Sequence, residues 1–300
     1  MPNARVFGLR KVYINQVQNI TDNNFASWPE SATYGYYGGG YNLPFLSSFI
    51  TRLDFSNETV SDLSNKMPVE RKTMTATSSN SYGYFGGGDR PPINTKINLI
   101  SRLDFTNETV SNPGKNLLRT LSRMAGLSGG ASIYRSKGFK TYGYFCGGSV
   151  PGTASTVSRV EFSTETVSLS GNNLPLWRQE GSGLSNNNYG YVAGGVALSP
   201  PFDTSTVLRL DFSNEVVSDP GNRLSLLRRF SRGGVSSNSY GYIAGSGPGG
   251  GYNSIITRLD FSTEISNNLT NNLSENTGNG VSSVSTNTYG YFRCLIKCSI

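Results

Sequence analysis

A tripeptide that returns at nearly constant intervals constrains this chain more than any other feature. Tyr-Gly-Tyr begins at Tyr34, Tyr82, Tyr142, Tyr189, Tyr240 and Tyr289, at spacings of 48, 60, 47, 51 and 49 residues. Each of the first five copies is followed by a second block: Arg52-Leu53-Asp54-Phe55, Arg102-Leu103-Asp104-Phe105, Arg159-Val160-Glu161-Phe162, Arg209-Leu210-Asp211-Phe212 and Arg258-Leu259-Asp260-Phe261. Self-similarity at such a period means one supersecondary unit built repeatedly, each copy burying its faces against its neighbours.

The unit reads as strands. Tyr82, Tyr84 and Gly86 alternate with Gly83, Phe85 and Gly87, which places the two rows on opposite faces of a sheet. Leu103 and Phe105 share one face, and Thr106-Asn107-Glu108 supplies a turn before Thr109-Val110-Ser111. A further strand before each Tyr-Gly-Tyr, such as Thr73 to Ser78, brings the total to four per repeat. The chain has 36 glycines in 300 residues and many Tyr, Phe, Ser, Asn and Thr, a composition suited to short strands and tight turns. The pairs Gly39-Gly40, Gly87-Gly88, Gly147-Gly148 and Gly194-Gly195 mark crowded backbone or positive φ.

Radial stacking of four-stranded units gives a β-propeller. Tyr84-Phe85-Gly86-Gly87-Gly88, then Leu103-Asp104-Phe105, then Glu108-Thr109-Val110 resembles the kelch repeat, and Met67-Pro68-Val69-Glu70-Arg71 and Leu174-Pro175-Leu176-Trp177-Arg178 resemble its Pro-x-x-Arg turn. The aromatic-Asp order is inverted, and Val60, Val110, Val167 and Val217 stand where kelch blades carry Trp. The resemblance therefore implies a kelch-like variant.

The expected fold is all-β: a single six-bladed propeller of four-stranded antiparallel blades over residues 1–300. Lys11 to Ile20 has the spacing of Arg52 and its hairpin, so residues 1–27 are expected to supply the outer strands of a closing blade. Residues 28–280 then supply five full blades, and residues 281–300 supply the inner strands of the closing blade. Pairing N-terminal with C-terminal strands would close the ring and remove its exposed edges. Arg293-Cys294-Leu295 replaces the glycine run in the last copy, so closure there is expected to differ.

Exclusions dominate the chemistry. The chain contains no histidine, which removes Ser-His-Asp and Cys-His arrangements and imidazole metal sites. Asp54, Asp104, Glu161, Asp211 and Asp260 recur beside the repeat arginines. A residue duplicated in every blade serves the blade, as a paired charge or a turn acceptor, whereas an active site needs asymmetry. We expect no enzyme, no cofactor and no metal. Asn57-Glu58-Thr59 and Asn107-Glu108-Thr109 match a glycosylation pattern but fall where a hairpin turn is expected. Cys146, Cys294 and Cys298 are too few and uneven for a disulfide framework. The N-terminus lacks the apolar run of a secretory signal, and no run of 18 apolar residues occurs, so no membrane insertion is expected.

Binding should lie where the repeats differ. The loops between second and third strands carry Tyr41, Phe45, Arg90, Pro91, Pro92, Pro200, Pro201, Phe202 and Tyr252, prolines and aromatics suited to contact. The long third interval carries a basic run, Lys115, Arg119, Arg123, Arg135, Lys137 and Lys140, read as an insertion on the opposite face. The formal charge of +7 permits attraction to anionic polymers. No aromatic ladder supports readout of nucleic-acid bases. The near-identity of the repeats is similar to kelch-like proteins of marine bacteriophages and other viruses. That resemblance implies a virion component, in a tail, fibre or capsid decoration, assembled in the host cytoplasm and contacting other subunits or a host-surface glycan. A cytoplasmic protein is the other expectation for localisation, and a carbohydrate-binding propeller is the alternative for function.

Overall fold

The computed structural model describes residues 33–294 apart from 43–44, 92–94, 130–141, 151, 199–201, 230–232, 238, 278–280 and 287–288. Tyr34–Ile300 form a unit of their own. The N-terminal strands expected to complete a closing blade lie outside the described residues.

The second and third strands of each repeat pair antiparallel in a constant register that sets Tyr-Gly-Tyr against the Arg block: Tyr34 faces Asp54, Tyr82 faces Asp104, Tyr142 faces Glu161, Tyr189 faces Asp211 and Tyr240 faces Asp260. Blade 2 contains the strands Thr75–Ser78, Tyr82–Gly86, Ile100–Asp104 and Val110–Ser111. Blade 3 (Ala125–Gly129, Tyr142–Cys146, Val157–Glu161, Thr166–Leu169) repeats that order. So do blade 4 (Ser182–Ser185, Tyr189–Ala193, Thr204–Asp211, Val217–Ser218) and blade 5 (Gly234–Ser236, Tyr240–Ala244, Ile256–Asp260, Ser266–Asn268). Blade 1 shows three strands, Tyr34–Asn42, Phe45–Asp54 and Val60–Asp62. A two-stranded sheet, Val281–Ser285 with Gly290–Cys294, follows blade 5. Five sheets of three or more strands are thus present among the described residues, one fewer than the six blades expected. Helix among these residues is confined to one 3-10 turn at Pro248–Gly250.

The core lies between blades. Leu127 and Tyr144 of blade 3 pack with Val192, Leu208 and Leu210 of blade 4, and equivalent clusters join blades 1 and 2, 2 and 3, and 4 and 5. Side-chain alternation explains the arrangement: Tyr84 points to the next blade and stacks on Phe162, while Phe85 points back and fills the space beside Gly38 of blade 1. Inner strands approach closely enough that a Cβ on Gly126 would sit 2.1 Å from the Ala76 carbonyl oxygen, and one on Gly183 would sit 2.0 Å from that of Gly126. Only glycine permits this separation. The circle is completed at the far end, where the α-carbon of Gly35 in blade 1 lies against the Val284 side chain of the last sheet. The arrangement is a β-propeller.

Candidate functional site

Two sets of residues compete for a functional role: the charged groups repeated in every blade and the loops that differ between blades. The turn after each third strand begins with an aspartate, except in blade 3. In blade 2 the Asp104 Oδ1 accepts hydrogen bonds from the Thr106 N–H at 2.8 Å and the Thr106 hydroxyl at 2.7 Å, and Ser56 and Ser262 treat Asp54 and Asp260 the same way. These side-chain and then backbone donors hold all three carboxyls below the usual carboxylate range. The turn acceptor therefore describes the repeat aspartates better than a charge partner does.

The repeat arginines instead reach across to the next blade. Arg52 donates to Glu108 at 2.9 Å, Arg102 to Glu165 at 2.8 Å, Arg159 to Glu215 at 2.6 Å and Arg209 to Glu264 at 3.0 Å. The same carboxylate oxygen accepts the hydroxyl of the second tyrosine of the preceding blade: Tyr36 to Glu108 and Tyr84 to Glu165 at 3.1 Å, Tyr144 to Glu215 at 3.0 Å and Tyr191 to Glu264 at 3.1 Å. Each of these tyrosine rings also stacks on the aromatic that opens the turn, Phe105, Phe162, Phe212 or Phe261, with centroids 5.1 to 5.4 Å apart. Burial first, and then the adjacent glutamate charge, push the phenols well above their ordinary range. Every latch glutamate adopts a left-handed conformation, with φ between +55° and +58°. That conformation costs a non-glycine residue roughly 1 kcal/mol, offset here by the two hydrogen bonds its carboxylate accepts from the preceding blade. The signal for these glutamates was visible as an invariant Phe-x-x-Glu, but pairing Arg with the adjacent Asp on the sequence concealed it.

A second device is buried. Arg71, Arg178 and Arg228 lie on the blade-to-blade connections and are at most 1% exposed. Burial pushes each guanidinium down to about 10. Arg71 donates to the Leu99 and Phe85 carbonyls at 3.0 and 3.1 Å and to the Ser101 hydroxyl at 2.8 Å. The repeated charges are thereby absorbed in holding blades together.

The unlike loops lie beside these connections. Isolated bridges pair Lys72 with Asp89, Ser122 with Ser149, Gln179 with Val196 and Asn253 with Thr277, joining each connection to the second-to-third-strand loop of the adjoining blade. On this face Phe202 and Tyr252 are 52% and 51% exposed and Leu198 is 58% exposed. The Gly249 N–H donates to the Asp203 carboxylate, which ties the blade 5 loop to the blade 4 loop. Arg90 is exposed in a short hairpin, paired with Thr95. Tyr41 and Phe45 sit where the first two strands of blade 1 meet, but their side chains, like Pro92 and Pro201, lie outside the described residues.

The basic run is divided. Lys115 and Arg119 are exposed on the connection into blade 3, and Arg123, further along it, donates to the buried Glu180 at 2.9 Å. Arg135, Lys137 and Lys140, the rest of the run read from the sequence as an insertion, lie outside the described residues. Glycines of the paired sites take left-handed φ: Gly39 +61° and Gly40 +114°, Gly87 +63° and Gly88 +110°, Gly147 +66° and Gly148 +109°, Gly194 +66° and Gly195 +99°. Their amides serve the connections; Gly88 donates to the Leu121 carbonyl and Gly148 to that of Arg178, both at 2.8 Å. Among the described residues, no group of three or more acidic or cysteine side chains is placed to hold a metal ion, and no helix is long and apolar enough to cross a membrane.

The fold defines a β-propeller built of near-identical blades. No protein-family model matches the sequence, and no curated protein matches it.

Proposed function

We propose that this chain is a non-enzymatic, six-bladed kelch-like interaction module that contacts its partner through the variable-loop face. The observation that carries the reading is the division of labour described above: the recurrent Arg, Glu and Tyr side chains join neighbouring blades, whereas the loops whose sequences differ from blade to blade present Leu198, Phe202 and Tyr252 at the surface. Exposed aromatics on rigidly held loops are a common basis of contact. The likeness of its repeats to kelch-like viral proteins supports a role as a virion component, in a tail, fibre or capsid decoration, contacting neighbouring subunits or a host surface.

Light scattering on the purified full chain at low and high salt, alongside a glycan array, tests this reading. Assembly that is lost in Phe202→Ala/Tyr252→Ala, with a blank array, is the expected result. A glycan bound by the native chain and released by the same double substitution would favour a carbohydrate-binding propeller instead. A monomer at both salts with no ligand on the array would count against both.

A further inference from the structure

One position on the blade-to-blade connections can be followed around the ring. It is occupied by Arg71, Leu121, Arg178 and Arg228, whose carbonyls accept hydrogen bonds from Gly40, Gly88, Gly148 and Gly195 respectively. In the third strand of the next blade a second position recurs, occupied by Ser101, Ser158, Leu208 and Thr257 and set by register against Phe85, Phe145, Val192 and Ile243.

At two interfaces the partners match. The Arg71 Nη2 donates to the Ser101 hydroxyl at 2.8 Å, between blades 1 and 2, and the Arg228 Nη2 donates to the Thr257 hydroxyl at 2.6 Å, between blades 4 and 5. At the other two they do not. Leu121 brings no donor to Ser158, whose hydroxyl is buried with no hydrogen-bond partner among the described residues. At the Arg178 interface the position equivalent to Ser101 is Leu208, which has no hydroxyl to accept, and the Arg178 Nη2 is likewise buried without a partner among them. Nη1 of Arg178 reaches the Gly194 carbonyl at 3.3 Å, whereas Arg228 also grips the Ile255 carbonyl at 3.0 Å and the Ser246 carbonyl at 3.1 Å.

Both mismatches flank blade 3. The same neighbourhood holds further buried groups without partners among the described residues: the Ser122 and Thr156 hydroxyls, the Trp177 indole N–H and the Gln179 side-chain carbonyl. A buried polar group left unpaired raises the free energy of the closed state, and separation of the blade lets water satisfy it. Local opening in proteins is drawn from the less stable parts of the structure, and such deficits lower the stability of the part that holds them. We propose that blade 3 is the opening blade of the ring, separating from blades 2 and 4 ahead of global unfolding. The latches Arg102 to Glu165 and Arg159 to Glu215 span both seams and draw it back.

Cys146, 2% exposed in the second strand of blade 3, reports the motion. Hydrogen exchange on the full chain is expected to find the amides of Tyr142–Cys146 exchanging faster than those of Tyr82–Gly86 and Tyr189–Ala193. Alkylation read peptide by peptide separates Cys146 from Cys294 and Cys298. Ser158→Ala and Arg178→Met each remove a buried orphan and are expected to slow Cys146 alkylation by about fivefold or more. Arg71→Met, which removes the Nη hydrogen bonds to Leu99, Phe85 and Ser101, is expected to lower the melting temperature. Equal exchange in the three second strands would overturn the proposal. So would a Cys146 rate left unchanged or raised by both Ser158→Ala and Arg178→Met, and Ser158→Ala alone keeps the test open if the arginine variant does not fold.

Discussion

The ring of Tyr291 stacks on that of Phe55 with centroids 5.2 Å apart, joining residues 236 positions distant in sequence, and the Tyr291 hydroxyl donates to Glu58 at 3.2 Å. This is the same contact that the second tyrosines of blades 1 to 4 make with the next blade, now made from the last described sheet back to the first. The repeat unit thus carries its own closing element, and ring closure uses the interface already present between consecutive blades.

Closure at this seam should depend on the ring more than on the hydroxyl, because the Tyr291 contact to Glu58 is solvent-exposed and exposed polar contacts contribute little. Tyr291→Phe is expected to shift the thermal midpoint by no more than about 1 °C, and Tyr291→Ala by several degrees. Identical midpoints for Tyr291→Ala and the native chain would show that the stack is not holding the ring.

The latch between blades 2 and 3 offers a cleaner energetic test. Glu165 accepts from both Arg102 and Tyr84, so Glu165→Ala strands two donors at once and is expected to cost about 1 to 3 kcal/mol. Denaturant titrations of Glu165→Ala, Arg102→Ala and the double variant should show the double falling well short of the sum. Strict additivity would mean that the pair is uncoupled.

Two glycines separate steric crowding from backbone strain. Gly183→Ala would drive a methyl to 2.0 Å from the Gly126 carbonyl oxygen and is expected to cost about 3 kcal/mol or prevent assembly of the inner strands. Gly114 has φ +77°, but a methyl added there would meet nothing within 4 Å, so Gly114→Ala should cost only about 1 kcal/mol. Midpoints in urea rank the two, and the reverse order would refute the close approach of blades 3 and 4.

Stability should hold on a plateau bounded by acid and alkali. Asp54, Asp104 and Asp260 have folded carboxyls depressed by their Ser and Thr donors, so their contribution is present above the unfolded value near 4 and is lost as pH falls toward the lower folded value. Tyr36, Tyr84, Tyr144 and Tyr191 have folded phenols raised by burial and the latch glutamates. Their contribution is therefore complete below the unfolded value near 10 and is lost as pH rises above it. Melting temperature followed across pH, with ultraviolet absorbance of tyrosinate, checks both limbs. Ionisation of the second tyrosines in a ring that remains folded at about pH 10 would contradict the alkaline limb.

Much of this was legible in the linear chain. Alternation in Tyr82 to Gly87 and the fixed spacing to Arg102-Leu103-Asp104-Phe105 are local properties of an extended backbone, and both specify strand, register and period. The unlike loops were also visible, since they are the places where the period breaks. Which carboxylate meets Arg102 was not. Asp104 is two residues away, yet it turns to Thr106, and the arginine crosses to Glu165. Nor did the chain announce that the basic run is divided in role, Lys115 and Arg119 standing exposed on the connection into blade 3 while Arg123 crosses to the buried Glu180, because a side chain's partner depends on which blade stacks beside it. Linear order was enough for the repeating strand unit, its turns and its glycine sites, all of which follow from contacts within about 50 residues and the period-two geometry of a strand. The Arg, Glu and Tyr latches, the buried arginines and the unmatched seams of blade 3 arise only on folding. Those depend on the side chains that a neighbouring blade brings into reach, and radial stacking alone sets that distance.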